Sequence, residues 1–158
     1  LVLARPRMKG KKAFRVAALL DEMMPLIEDS ASERNITLRK EVNADAQLIG
    51  EPDDFRRAIL NVVVNAIDAV SDVNDRERII EIRLNEREGT LVLLISDNGV
   101  GMDEEERSRV FKPYFSTKKS GTGLGLYIAQ KIIKDHGGEI RITSQKDKGT
   151  IFELSFPL

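Results

Sequence analysis

The clearest hydrophobic pattern in the chain follows Glu51-Pro52-Asp53-Asp54, where Phe55, Ile59, Val62, Ala66, Ala69 and Val70 recur at spacings of three and four. That periodicity predicts an amphipathic helix with the apolar stripe facing the core. Pro52 stands where a first-turn N–H would have no partner, and the acids suit the positive end of a helix. A second helix is expected to open at Gly121-Thr122-Gly123-Leu124-Gly125-Leu126, with Leu124, Ile128, Ile132 and Ile133 inward. Residues 14–35 read as a further helix, which Pro25 should bend or break. Apolar and alternating runs at 36–42, 47–50, 79–84, 90–96, 139–144 and 150–156 predict strands. Asp103 with Glu106 predicts a capping box on a short helix, which accounts for the acids at 103–106 better than a metal site does.

Three segments carry candidate chemistry. On the helix after Pro52, Arg57, Asn61, Asn65 and Asp68 share a second face. Asn is a poor helix former, so two of them one turn apart among Val and Ala need a reason. Either they are satisfied, half-buried amides, or they are oxygen ligands for a metal or phosphate. Mg²⁺ commonly takes only one or two protein oxygens beside nucleotide phosphates. Asp97 ends the apolar run Leu91-Val92-Leu93-Leu94-Ile95 and precedes the turn dipeptide Asn98-Gly99. It either caps its own turn or, as a buried carboxylate, takes a donor such as an adenine amine, with Gly99 and Gly101 allowing close backbone approach. Finally, Gly121, Gly123 and Gly125 at a helix start expose N–H groups that attract phosphate. Their spacing is not that of the dinucleotide fingerprint, no Lys-Ser or Lys-Thr follows as in a Walker loop, and no His-Arg-Asp segment exists as in protein kinases.

The order of these segments resembles the ATP-binding catalytic domain of sensor histidine kinases, within the superfamily that holds type II topoisomerases, mismatch-repair ATPases and heat-shock chaperone ATPases. From about Val16 to the C-terminus the chain carries an Asn box (Asn61 to Asn65), a first glycine box (Asp97 to Gly101) and a Phe box (Phe111-Lys112-Pro113-Tyr114-Phe115). A second glycine box (Gly121 to Gly125), His136-Gly137-Gly138 and the closing Gly149-Thr150 complete it. The resemblance implies an α+β fold, the two-layer α/β sandwich of the Bergerat ATP-binding fold, with helices on one face of a mixed, largely antiparallel sheet. It implies ATP and Mg²⁺ as cofactors and assigns Asn65 to the metal, with Asn61 beside it near the phosphates. Asp97 would receive the adenine amine, and Thr150 would help fix the base. The remaining nucleotide contacts it implies are Asp68, Gly99, Gly101, Lys112, Tyr114, Thr117, Lys118, Lys119, Gly121, Thr122, Gly123, Leu124, Gly125 and Leu126. Phe111 and Phe115 would anchor a lid or simply fill the core. Only Ser116-Thr117-Lys118-Lys119-Ser120 separates Phe115 from the second glycine box, a short lid that resembles the nitrogen-regulation group, in which Asp68 is also at home.

One departure concerns chemistry. Superfamily members that hydrolyse ATP carry Glu where this chain has Asn61, and an amide makes no useful general base near neutral pH. The expected activity is therefore protein-histidine kinase: transfer of the γ-phosphoryl to a histidine on a separate dimerisation domain, then relay to a response regulator receiver domain. The alternatives within the superfamily are a conformational ATPase and a serine-directed regulatory kinase. The lone histidine, His136, precedes a glycine pair at a helix end, where Gly137 is expected to cap and the ring to lie beside carbonyls. Its surroundings do not resemble the phosphorylated helix of the family.

Composition adds boundaries. At 158 residues the chain is one domain, large enough to bury about 68 to 70% of its unfolded surface. A net charge of −1 makes no case for nucleic acid or a membrane surface. The absence of cysteine excludes disulfides and thiolate metal sites and fits a reducing cytoplasm. Residues 1–13, with Arg5, Arg7, Lys9, Lys11 and Lys12, are expected to be a linker remnant from upstream dimerisation helices, and 14–158 the catalytic domain. The isolated domain is expected to be a monomer and its parent a homodimer, cytoplasmic in this part whether soluble or membrane-anchored.

Overall fold

A computed structural model describes residues 10–116 and 122–158. In chain order the elements are β1 (Lys12–Arg15), α1 (Val16–Glu33), β2 (Ile36–Val42), β3 (Gln47–Gly50), α2 (Pro52–Ser71), β4 (Arg78–Arg87), β5 (Thr90–Asp97), α3 (Glu104–Arg109), α4 (Gly125–Asp135), β6 (Glu139–Gln145) and β7 (Gly149–Pro157). Five strands form one sheet in the order β2-β4-β5-β7-β6. Only the β2–β4 pair is parallel. This is the expected mixed, largely antiparallel sheet, and the fold class stands as α+β.

The side-chain period of two decides which sheet face is covered. Ile80, Ile82 and Leu84 on β4, Leu91, Leu93 and Ile95 on β5, and Phe152, Leu154 and Phe156 on β7 are all buried in one cluster with the apolar sides of α1, α2 and α4. Burial of each such side chain stabilises by about 1.5 to 3 kcal/mol. The alternate positions, among them Glu81, Arg83, Arg141 and Glu153, lie on the opposite face. There Arg83 pairs with Glu81 at 3.0 Å and Glu41 at 3.3 Å, as suits a solvated surface.

Three expectations are corrected. Phe14 and Arg15 belong to β1 and not to the first helix, because β1 pairs antiparallel with β3 and sets Phe14 edge-on to Phe55 with ring centroids 5.2 Å apart. Of the bend or break expected at Pro25, the break does not occur, since α1 continues through that residue. Pro25 lies on the exposed side of the helix, where water can replace the hydrogen bond its missing N–H would have made. Leu124, expected to point inward from a helix, is the half-buried N-cap residue of α4, whose buried side chains are Ala129, Ile132 and Ile133.

His136 does more than end a helix. Its ring Nδ1 lies 2.8 Å from Ile132 O, and its Nε2 accepts from Glu51 N at 3.1 Å, so the neutral Nδ1–H tautomer satisfies both contacts. Glu51 is the N-cap of α2 and has no side-chain cap of its own, so the ring at the C-terminal end of α4 satisfies the first turn of α2. Gly137 follows at φ 75°, the expected left-handed cap. His136→Ala is expected to destabilise the fold by about 1 to 3 kcal/mol through the unpaired Glu51 N–H. Denaturant unfolding measures this, and a midpoint equal to that of the unmodified chain would remove the assigned role.

Candidate nucleotide site

A cavity of about 500 Å³ opens between α2, the turns after β5 and β6, and the start of α4. Its size falls within the range of small-molecule sites. Asn61, Asn65, Asp68, Gly101, Gly123, Gly125, Leu126 and Thr150 line it, so four separate motifs meet there. Lys112, Tyr114, Thr122 and Leu124, also expected in the site, are described but do not line the cavity. Tyr114 is 78% exposed. Thr117, Lys118, Lys119 and Gly121 lie outside the described residues.

The α2 wall follows from helix geometry. Asn61, Val64, Asn65, Asp68, Ala69 and Asp72 succeed one another along one face, while Val62, Val63, Ala66 and Ile67 turn to the core. Ala69, expected in the core stripe, instead lines the cavity, and its carbonyl accepts from Val100 N at 3.0 Å. No hydrogen bond within the described residues engages the side chain of Asn61 or Asn65. Both side chains are half-buried on the cavity wall, so their amides remain available to a ligand or to water.

Asp97 does not line the cavity surface and is 8% exposed. Its Oδ1 accepts from Gly99 N at 2.8 Å, so the turn holds the carboxylate as well as being capped by it. In the β5–β7 register Asp97 stands opposite Thr150, which is 3% exposed. The first glycine box departs in one respect from expectation. A Cβ on Gly99 would meet Ala69 O at 2.4 Å, and one on Gly101 (φ 64°) would meet Gln145 O at 2.0 Å. These glycines are required by contact with the protein's own backbone and not by open space for a base. Arg76, unmarked by any motif, holds the same turn by donating to Asn98 O at 2.9 and 3.1 Å and to Gly99 O at 3.0 Å. Ser144 was equally unmarked; its hydroxyl lies 2.8 Å from that of Thr150.

The rim and the electrostatics complete the site. Phe115 lines the cavity, whereas Phe111 packs edge-on against Phe152 at 6.3 Å, so the two Phe-box aromatics divide between site and core. Asp103 and Glu106 form the expected capping box on α3, and Lys146 reaches Glu106 at 3.0 Å across the mouth. That hydrogen bond and charge hold the Lys146 ammonium above its ordinary pKa, and the Glu106 backbone N–H holds Asp103 below the usual carboxylate value. A carboxylate with a lowered folded pKa contributes stability in full above the ordinary carboxylate range and loses it as pH falls to the lowered value. Amide exchange protection in α3 is therefore expected to fall below that range, and protection constant down to pH 2 would contradict the cap.

The described lining carries Asp68, Asp72, Glu106 and Asp147 against the single cation Lys146. Arg34 approaches Asp68 at 3.5 Å. Such a wall receives a polyphosphate only with added positive charge. α4 provides part of it, because its N-cap residue Leu124 makes no side-chain cap bond among the described residues and Gly125 and Leu126 lie on the cavity. Among the described residues no group of three His, Cys, Asp or Glu could hold a metal ion; the amide oxygens of Asn61 and Asn65 on the cavity wall are of the hard type that Mg²⁺ takes one or two of.

Fold and cavity together define a nucleotide-binding domain of the ATPase class. Residues 50–158 match the family described as histidine kinase-, DNA gyrase B- and HSP90-like ATPase, and the chain belongs to that family. It is similar to the sensor histidine kinase ZraS of Escherichia coli, 31% identical over 159 residues, with 100% of this chain and 33% of that protein covered. Among solved structures, the catalytic domain of histidine kinase ThkA superposes with a TM-score of 0.81 at 28% identity, covering 93% of this chain and 95% of that one. A ThkA structure in complex with the response regulator protein TrrA gives 0.77 at 25% identity, covering 93% and 41%. The chain thus spans about a third of the length of the curated relatives it matches. No helix among its described residues is long and apolar enough to cross a membrane.

Proposed function

We propose that the chain binds ATP with Mg²⁺ and transfers the γ-phosphoryl to a histidine on a separate dimerisation domain, from which a response regulator receiver domain takes it. The observation that carries this is the pair of amides, Asn61 and Asn65, without a side-chain hydrogen bond among the described residues, opening onto a cavity that the start of α4 also lines. Asp97 would accept from the adenine amine. Asn65 would hold the metal, which when bound neutralises phosphate charge. Asn61 would orient the phosphates beside it, while Gly123, Gly125 and Leu126 present backbone N–H groups to them. Residues 14–158 would be the catalytic domain and 1–13 a linker to the part that carries the histidine. His136 is not the acceptor in this reading, because both ring nitrogens already hold α2 and α4 together.

Phosphoryl transfer needs positioning and charge neutralisation more than it needs a base. Hydrolysis needs water activated in place, and Asn61 cannot take its proton. With Mg²⁺ and ATP alone, phosphate release by the chain is therefore expected to stay near the rate of a protein-free control, as a coupled phosphate assay would read it. Sustained turnover would favour a conformational ATPase instead. Acid-stable label on serine of a partner would favour the serine-directed alternative.

A further inference from the structure

Ser144 sits on β6, 8% exposed, and directly opposite Thr150 in the β6–β7 register. Its Oγ has three neighbours: Met102 N at 2.8 Å, Gly149 O at 3.0 Å and Thr150 Oγ1 at 2.8 Å. A serine hydroxyl has one hydrogen to give and two lone pairs to receive with. Met102 N can only donate, which uses one lone pair. Gly149 O can only accept, which uses the hydrogen. The contact with Thr150 can then form in one sense alone, with the threonine hydroxyl donating to the second lone pair of Ser144.

That proton order has a consequence for the cavity. Thr150 lines it, and with its hydrogen committed to Ser144 it turns only lone pairs toward a ligand. Asp97, opposite Thr150 on β5, is acceptor-only when ionised. The base end of the site is thus an acceptor pair. An amine on the purine six-position has two hydrogens, one for each acceptor. A six-oxo purine can still offer its N1–H to Asp97, but its O6 then lies against Thr150, and acceptor meets acceptor unless that hydroxyl can rotate. Ser144 prevents the rotation.

We infer that Ser144 is a specificity-determining positioning residue: by fixing the proton of Thr150 it makes the site take a 6-aminopurine nucleotide and reject a 6-oxopurine one. The inference rests on the reading that Asp97 and Thr150 receive the base. Ser144 itself touches no ligand, and acts only through Thr150.

The test is calorimetric binding of ATP and of ITP, each with Mg²⁺, to the unmodified chain, to Ser144→Ala and to Thr150→Val. In Ser144→Ala the threonine hydroxyl is free to turn and donate to O6, so the ratio of the ITP to the ATP dissociation constant is expected to fall by about three- to tenfold, the worth of one neutral hydrogen bond. A purely structural role for Ser144 would weaken both nucleotides alike, and an unchanged ratio overturns the inference. Thr150→Val removes the hydroxyl altogether and carries the same test independently: the ratio is expected to fall, and adding Ser144→Ala to it to change nothing further. A further fall in the double variant would mean that Ser144 acts by another route. Equal affinity of the unmodified chain for ATP and ITP would overturn the inference while leaving the nucleotide site intact. Failure of the unmodified chain to bind ATP would overturn the site reading itself.

Discussion

Asp97→Asn is expected to cost the chain most of its affinity for ATP while leaving the fold in place. The amide oxygen can still accept from Gly99 N, which Asp97 Oδ1 engages at 2.8 Å, so the turn has no reason to open. The amide nitrogen then takes the place of an acceptor oxygen and sets a donor against the adenine amine. With Asp97 8% exposed, water cannot easily repair the mismatch. An unsatisfied buried group costs about 1 to 3 kcal/mol, which corresponds to roughly 5- to 150-fold in the dissociation constant. Calorimetry with ATP and a parallel thermal melt separate the two effects. Affinity within twofold of the unmodified chain would show that the carboxylate does not receive the base.

Asn65→Ala is expected to act on chemistry instead. It lies on the cavity face of α2, one turn after Asn61 and well away from Thr150 in sequence, and its carbonyl oxygen has no protein partner among the described residues. Loss of one preorganised electrostatic contact at a reacting group commonly costs on the order of 10² to 10³ in rate. Mg²⁺-dependent phosphoryl transfer should fall by that order. Binding of adenosine, which has no phosphate to share with a metal, should change by less than about twofold, since nothing in the amide's placement bears on the base. Equal loss of adenosine affinity would remove Asn65 from the metal role and return it to the packing of the site. The described lining is net acidic, so the effect should deepen at low Mg²⁺ concentration.

What the sequence revealed and what it hid divide along physical lines. α2 and the five strands of the main sheet were readable because each buries one face, and burial on one face writes a period into the residues. β1 left no such mark. It is four residues long, and it exists because it pairs with β3 across all of α1 and β2, a long-range contact that no local window contains. Pro25 misled because a helix interior normally rejects it, yet on an exposed turn the lost hydrogen bond falls to water. Ala69 follows the apolar period but lines the cavity, since the period fixes a side chain's angle around the helix and not what lies opposite.

The site shows the same division. Asn61, Asn65 and Asp97 stood out as polar residues in apolar settings, a conflict that has to be resolved by a partner. Gly99 and Gly101 were marked correctly as places where a Cβ would not fit, but the obstruction is the protein's own backbone. Ser144 and Arg76 carried no signal at all. A serine in a strand and an arginine before one are ordinary, and their partners come from strand register and from a turn more than twenty residues away in sequence.

The measurement that tests the central claim most directly is a transfer assay with γ-labelled ATP, Mg²⁺, this chain and the separately produced histidine-bearing dimerisation segment of the full-length protein. The account predicts acid-labile label on that segment, dependent on the chain, and no label on the chain alone. Rapid phosphate release with no labelled segment would contradict it, and would mean that water, not a histidine, is the acceptor at this site.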